Sequence, residues 1–276
     1  MKDNPVKTQT LETLVEKCRE GFPISSLYIL ELPIFNIENG VPFLKDFYGT
    51  TDREKLIQIA QSTDCDILSL KFNIATLNDV TKAVEILKNS IKNITKPLMI
   101  RGTNDDRLDK ILLPELASCV NQTCIIASAN EKTYKRIIPY TKDKHFVVLK
   151  SPIDINLAKE INILSNDLGQ PLERILIDTD IGGLGCGFEY GYSIIEKIKQ
   201  EGVGDKFLEL PIISFAAEES LKIKEAKSQK LSHSWGEYSK RILMLEITAV
   251  SAIRAAGANL IVVNNPQAIK IMKGLN

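Results

Sequence analysis

The chain has 276 residues, with 35 Lys plus Arg against 35 Asp plus Glu, so its formal net charge is zero with His neutral. Charged residues make up 25% and hydrophobic residues 44%, which excludes a disordered chain, a collagen and a coiled coil. The even charge balance argues against a broad nucleic-acid surface, which needs clustered excess Lys and Arg.

In chain order, residues 1–10 have no apolar core after their first positive charge, so they do not read as a secretory signal. Residues 1–25 are expected to form an N-terminal extension, either a helical plug or a frayed tail, ahead of one domain over 26–276. Eight short β-branched runs follow, at 27–32, 67–72, 97–102, 124–129, 146–150, 175–178, 211–215 and 260–264. Each is nearly continuous in apolar character, as a parallel strand covered on both faces must be. Helical patterns separate them. Leu77, Val80, Ala83, Val84 and Leu87 step by three and four, and so do Leu157, Ile161, Leu164 and Leu168. Gly169 and Pro171 close the second of these, and Gly257 closes a third over 244–256. Eight β-then-α units point to an α/β fold, a (β/α)8 TIM barrel, for which about 250 residues is typical. A doubly wound open sheet uses the same unit and is the alternative. Segment 32–50, with two Pro, two Gly and three Phe, is expected to be a packed loop over one barrel end, and 226–236 a second irregular stretch.

No run of about 18 apolar residues occurs, so no membrane-spanning helix is expected. Five cysteines, at 18, 65, 119, 124 and 186, are an odd and sparse set that suits free thiols in a reducing cytoplasm. They lack the tight spacing of an iron–sulfur ligand set.

In a barrel of this kind the chemistry lies where the strands end. Those ends supply Lys71 and Asn73; Arg101, Thr103 and Asn104; Ser128 and Asn130; Lys150 and Ser151; Asp178 and Thr179; Ser214; Asn264 and Asn265. The set is rich in amides and hydroxyls and has no His. His145 precedes the fifth run and so belongs to the opposite end, and His233 lies in a polar loop. That speaks against a His-based metal site or a Ser-His-Asp triad. After Asp180 comes a loop with Gly182, Gly183, Gly185 and Gly187 around Cys186. Its backbone N–H groups can approach an anion at the start of the following helix, or the loop can be a tight structural turn. Asp178 can be a general base, an acceptor for a pterin, or a helix cap. Arg101 can grip a phosphate or carboxylate, or pair with Asp105 or Asp106. The Lys/Glu pattern of 217–230 reads as a solvated helix. Lys71 and Lys150 would be Schiff-base candidates in a hydrolase or aldolase if burial lowered their pKa.

Several ordered motifs resemble one family. They are Ala127-Ser-Ala-Asn-Glu131 with Tyr134-Lys135, Ser151-Pro-Ile-Asp-Ile-Asn-Leu-Ala-Lys159, Asp167-Leu-Gly169, and Gly182-Gly-Leu-Gly-Cys-Gly-Phe-Glu-Tyr-Gly-Tyr-Ser193. Leu210-Pro-Ile-Ile213, Lys224-Glu-Ala-Lys227, Trp235-Gly236 and Ala256-Gly-Ala258 continue the series. The chain resembles the CO dehydrogenase/acetyl-CoA synthase delta subunit family, the small subunit of the corrinoid/iron–sulfur protein. The resemblance runs from about residue 97 to the end and is looser over 22–96. It implies a TIM barrel that is not catalytic alone and carries no metal ligand or iron–sulfur cluster of its own. A larger partner subunit would bring the cobalamin and the cluster, forming a heterodimer. The corrinoid would sit between the two, capped by the barrel mouth. The pair would accept a methyl group from methyltetrahydrofolate through a pterin methyltransferase and pass it to acetyl-CoA synthase, as in the reductive acetyl-CoA pathway. Asn73, Arg101, Thr103, Asn104, Asp178, Thr179, Gly182, Gly183, Gly185, Cys186 and Asn264 would face the corrinoid. At the mouth this chain has Asp178-Thr179, Cys186, Arg101-Gly-Thr-Asn104 and Val263-Asn-Asn-Pro266 where the family tends to other residues. The alternative is a stand-alone methyltetrahydrofolate methyltransferase that holds its pterin with Asn73, Asn104, Asp178 and Asn264. Phe35, Phe43, Phe47, Tyr48 and Trp235 are equally candidates for an interface or for the core.

Overall fold

The computed structural model describes residues 10–19, 26–37, 44–182 and 188–275. Eight parallel strands close into a barrel in sequence order: β1 (Leu27–Phe35), β2 (Ile67–Phe72), β3 (Leu98–Arg101), β4 (Cys124–Ala129), β5 (Phe146–Lys150), β6 (Ile175–Asp178), β7 (Ile212–Ser214) and β8 (Leu260–Val263). β8 returns to pair with β1, Leu27 opposite Leu260. The expected (β/α)8 barrel is the fold found, and the open sheet is excluded by that closure. Helices α1 (Leu11–Arg19), α2 (Leu44–Tyr48), α3 (Arg53–Ser62), α4 (Val80–Ser90), α5 (Asp106–Ser118), α6 (Tyr134–Thr141), α7 (Ile155–Asp167), α8 (Phe188–Glu201), α9 (Ala216–Lys222), α10 (Lys224–Lys227), α11 (Tyr238–Ala256) and α12 (Pro266–Gly274) accompany the strands.

Strand alternation sorts the residues. Outward side chains such as Leu30, Leu70, Ile100 and Ile126 pack with helix residues in the main core. Inward ones such as Ile29, Ile67, Met99, Ile125, Phe146 and Leu260 fill the barrel. α1 plugs the N-terminal end, because Leu11, Leu14 and Val15 join that inner cluster. Asn259 fixes the plug by donating to the Cys18 carbonyl at 2.7 Å. His145 sits buried at this same end, where its Nδ1 accepts from the Cys124 amide at 3.3 Å, and burial pushes its pKa down to about 4.

One expectation changes. β1 runs on to Phe35, so 32–35 is strand rather than loop. Pro33 stays in register opposite Lys71, and the register then shifts between Pro33 and Phe35. Phe35 and Tyr48 are then core residues, whereas Phe43 lies outside the described residues. α11 ends as expected, with Gly257 at φ 108° as its left-handed cap. No helix among the described residues is long and apolar enough to cross a membrane.

Candidate functional site

Going up each strand by two residues from the apolar inner layer reaches a different chemistry. Ile29 gives way to Glu31, Ile67 to Ser69 and Lys71, Met99 to Arg101, Val148 to Lys150, and Leu176 to Asp178. The top layer of the barrel interior is therefore charged, and apart from Asp178 it is internally matched. Arg101 Nη1 lies 2.9 Å from Glu31 and 2.6 Å from Glu218, which comes from α9 across the mouth. Lys71 lies 3.1 Å from the same Glu218 oxygen, and the Ser69 hydroxyl donates to Glu31 at 3.2 Å. The Arg101 guanidinium stacks on the Phe215 ring at 3.8 Å. Burial opposes ionisation of Glu218, but Arg101, Lys71 and Lys222 outweigh it and hold its carboxyl well below the usual range. This cluster seals the β1–β3 side of the mouth.

The β5–β6 side stays open as a cavity of about 340 Å³. Its wall includes Arg101, Thr103, Asn104, Lys150, Asp178, Asp180 and Gly182. Lys150 pairs with Asp180 at 3.2 Å. Asp178 is 4% exposed, and its Oδ1 accepts the Asp180 amide at 2.9 Å, so it closes a local turn rather than capping a helix. Burial first, and the Asp180 carboxylate second, push the Asp178 pKa up to about 7.

Two buried carboxylates brace the loops around this site. Asp109 takes the amide and hydroxyl of Thr103 at 2.8 and 2.9 Å on one oxygen and the Asn104 amide at 2.8 Å on the other. Gly102 permits that approach, since a side chain there would run into the Asp109 carboxylate. Glu246 on α11 is fully buried, and one of its oxygens accepts the amides of Asn264 and Asn265 at 2.7 and 3.1 Å. Burial raises its pKa to about 7 against those two bonds. The positive-φ residues other than glycine, among those described, are Asn36, Asn104, Ile153 and Asp180. All four follow strand C-terminal ends, and such backbone conformations concentrate at functional sites.

Of the expected site residues, Arg101, Thr103, Asn104, Asp178 and Gly182 share the cavity wall. Asn73 and Asn264 are not on that wall; the Asn73 carbonyl holds the Asn36 side chain, and the Asn264 carbonyl accepts the Tyr48 hydroxyl. Thr179 is buried, and its hydroxyl has no partner among the described residues. Gly183, Gly185 and Cys186 lie outside the described residues. Arg101 pairs with Glu31 and Glu218, whereas Asp105 caps α5 and binds Arg107. Lys71 and Lys150 are both held by carboxylates, not in the apolar setting a Schiff-base lysine needs. Segment 217–230 is not simply solvated, because Glu218 reaches the mouth. Glu31, Asp109, Glu218 and Glu246 were not apparent as site residues. Glu31 could have been found by stepping two residues from Ile29 within an apolar run, and Glu246 as the acid on the stripe Ile242, Ala249, Val250, Ile253.

The sequence model of the family described as "CO dehydrogenase/acetyl-CoA synthase delta subunit" matches residues 52–258. An acetyl-CoA decarbonylase/synthase complex subunit delta from Methanocaldococcus jannaschii is 26% identical over 196 residues, covering 70% of this chain and 48% of that protein. Subunit delta 1 from Methanosarcina thermophila is 26% identical over 202 residues, covering 70% and 46%. The chain thus spans about half the length of the curated relatives it matches. Among solved structures, dihydropteroate synthase from Xanthomonas albilineans in complex with 7,8-dihydropteroate superposes with a TM-score of 0.56 at 11% identity, covering 91% of this chain and 92% of that one. The dihydropteroate synthase of Thermus thermophilus gives 0.57 at 12% identity, covering 91% and 93%. These structural likenesses concern the barrel alone. The family match covers most of the barrel, and on it the chain belongs to the CO dehydrogenase/acetyl-CoA synthase delta subunit family.

Proposed function

We propose that this chain is a small, non-catalytic subunit of a corrinoid/iron–sulfur methyl carrier. Its barrel mouth caps a corrinoid held by a larger partner subunit, in the cytoplasm, during methyl transfer from methyltetrahydrofolate toward acetyl-CoA synthesis. The observation that carries this reading is the mouth itself, on a chain of this family. Its charged groups, Asp178 apart, are spent on one another, and what remains is hydrogen-bonding capacity. A Ser or Thr nucleophile needs a hydrogen-bonded base. Among the described residues, the hydroxyls of Ser128, Ser151, Thr179 and Ser214 are buried without a hydrogen-bond partner. A corrinoid would supply a cobalt-centred methyl carrier. The cavity is far smaller than its macrocycle, which would lie across the mouth. Asn104 would present its side-chain amide to its periphery, beside a wall formed by Thr103 and Arg101, whose polar groups are held by Asp109 and by Glu31 and Glu218. Exposed apolar side chains at the same end, Trp235, Tyr190 and Ile223, offer anchors for the partner.

A stand-alone methyltetrahydrofolate methyltransferase is the second reading. Asn104 and Asp178 on one wall favour it, as does the likeness in fold to dihydropteroate synthase with bound dihydropteroate. Asn73 and Asn264, which that reading also needs, lie off the wall.

Anaerobic affinity purification of this chain from its native cells separates the two. A corrinoid absorption band together with a cobalamin- and cluster-bearing protein identified by mass supports the capping subunit. A colourless, partnerless chain that binds methyltetrahydrofolate overturns it.

A further inference from the structure

The cations on the cavity wall are already matched: Arg101 by Glu31 and Glu218, Lys150 by Asp180, and Lys222 by Glu218 and Glu219. A ligand carboxylate would have to displace one of these internal carboxylates and would face the rest. A ligand cation would find Asp180, Glu218 and Glu219 already holding Lys150, Arg101 and Lys222, and would share the remaining carboxylate, Asp178, with the fields of Lys150 and Arg101. Removing one partner of a buried pair is costly, so the wall favours an uncharged guest. Asp178 differs from the other acids. It is 4% exposed and lines the cavity, yet among the described residues no cation lies within ion-pair distance of it. One of its oxygens holds the Asp180 amide, which leaves the other for a guest. Asn104 on the same wall is exposed, and its backbone is fixed by Asp109 at φ 68°.

We propose that this cavity takes one uncharged primary carboxamide, the peripheral arm of a larger ligand, with Asp178 holding its N–H2 end. The inference rests on the capping reading and names the chemistry that enters the mouth. A carboxamide both donates and accepts, so it meets a carboxyl in either protonation state, and the burial that raises the Asp178 pKa to about 7 leaves both states accessible. The amide carbonyl is then free to accept from the Asn104 side chain. At about 340 Å³ the cavity admits an arm of this size and excludes a macrocycle.

The test is an NMR titration of the full chain at pH 7 with propionamide, propionate and methylguanidinium as separate probes. Propionamide is expected to give saturable shifts confined to residues 101–104 and 178–182, and the two charged probes are not. Asp178→Ala is expected to weaken propionamide about tenfold or more, as loss of a hydrogen bond to an ionisable group would. Asn104→Gly relieves the positive φ while removing the amide, so it keeps the test open if Asp178→Ala fails to fold; a several-fold weakening is expected. Absence of saturable shifts, or equal shifts with propionate or methylguanidinium, overturns the proposal. Its failure is distinguishable from failure of the capping reading. A corrinoid partner that co-purifies while propionamide leaves the cavity untouched sinks the amide arm alone.

Discussion

The two ends of this barrel are made from the same eight strands and the same alternation, yet they hold themselves together differently. At the N-terminal end the inward positions are Ile29, Ile67, Met99, Ile125 and Phe146, closed by Leu11, Leu14 and Val15 of α1. At the C-terminal end, two residues further along, they are Glu31, Lys71, Arg101, Lys150 and Asp178. The first end is held mainly by apolar burial, which itself carries no charge to titrate. The second is held, Asp178 apart, by matched charges, which are expensive to bury and costly to unmatch. A barrel that needed only stability could fill both ends with aliphatics. The difference is what the proposed use of the mouth as a binding surface would call for.

Breaking the mouth should therefore cost as much as breaking the plug, by another mechanism. Arg101→Met leaves Glu31 and Glu218 facing each other and is expected to destabilise by about 3–5 kcal/mol in urea unfolding. Adding Glu31→Gln to it should restore part of that loss, which no simple loss of packing would do. At the other end Leu14→Ala should cost about 2–5 kcal/mol, with no second substitution among charged groups able to restore it.

Glu246 sharpens the contrast within the mouth. Glu246→Ala strips the amides of Asn264 and Asn265 of their acceptor and is expected to cost about 1–3 kcal/mol for each unpaired group. Glu246→Gln keeps that acceptor oxygen and should be close to neutral near pH 7.

Asp178 gives a pH signature. Its folded pKa of about 7 lies above an unfolded value of about 3.9, so between the two the folded chain binds more protons. Its contribution to stability therefore declines as pH rises from about 4 to about 7 and is flat above that. Asp178→Asn should remove this slope, so its melting temperature should gain on the parent from pH 4 to pH 7. His145, with a folded pKa of about 4 against about 6.5 unfolded, runs the other way and loses stability as pH falls through that window. Comparing Asp178→Asn with the parent at each pH cancels the His145 contribution.

The smallest effect on the isolated chain is expected at Trp235, half exposed on the segment leading into α11. Trp235→Ala should change stability by no more than about 0.5 kcal/mol. It should nevertheless weaken assembly with the partner measurably in a pull-down, because large exposed aromatics are where interfaces concentrate their energy.

Most of the fold was legible because parallel strands buried on both faces are apolar runs. β2, β4, β5 and β6 begin and end where those runs do. β1 reads short because a proline argues against a continuing strand, whereas Pro33 stays in register opposite Lys71 and the strand runs on to Phe35. The site was legible where it is local, as with Arg101 to Asn104 and Asp178, which sit at strand ends whatever the helices do. It was not legible where it depends on a distant approach. Glu218 is an ordinary surface acid by sequence and becomes the lid of the Arg101 cluster only because α9 crosses the mouth. Asp109 reads as one more acid in the first turns of α5, and its role depends on the bare backbone at Gly102.

The measurement that bears most directly on the mouth as the capping surface is hydrogen exchange by mass spectrometry on the free chain and on the assembly purified from native cells. The account predicts added protection at residues 101–104, 178–182 and 215–237, with α1 and the strand starts unchanged. Protection confined to α1 and the N-terminal end of the barrel would contradict it.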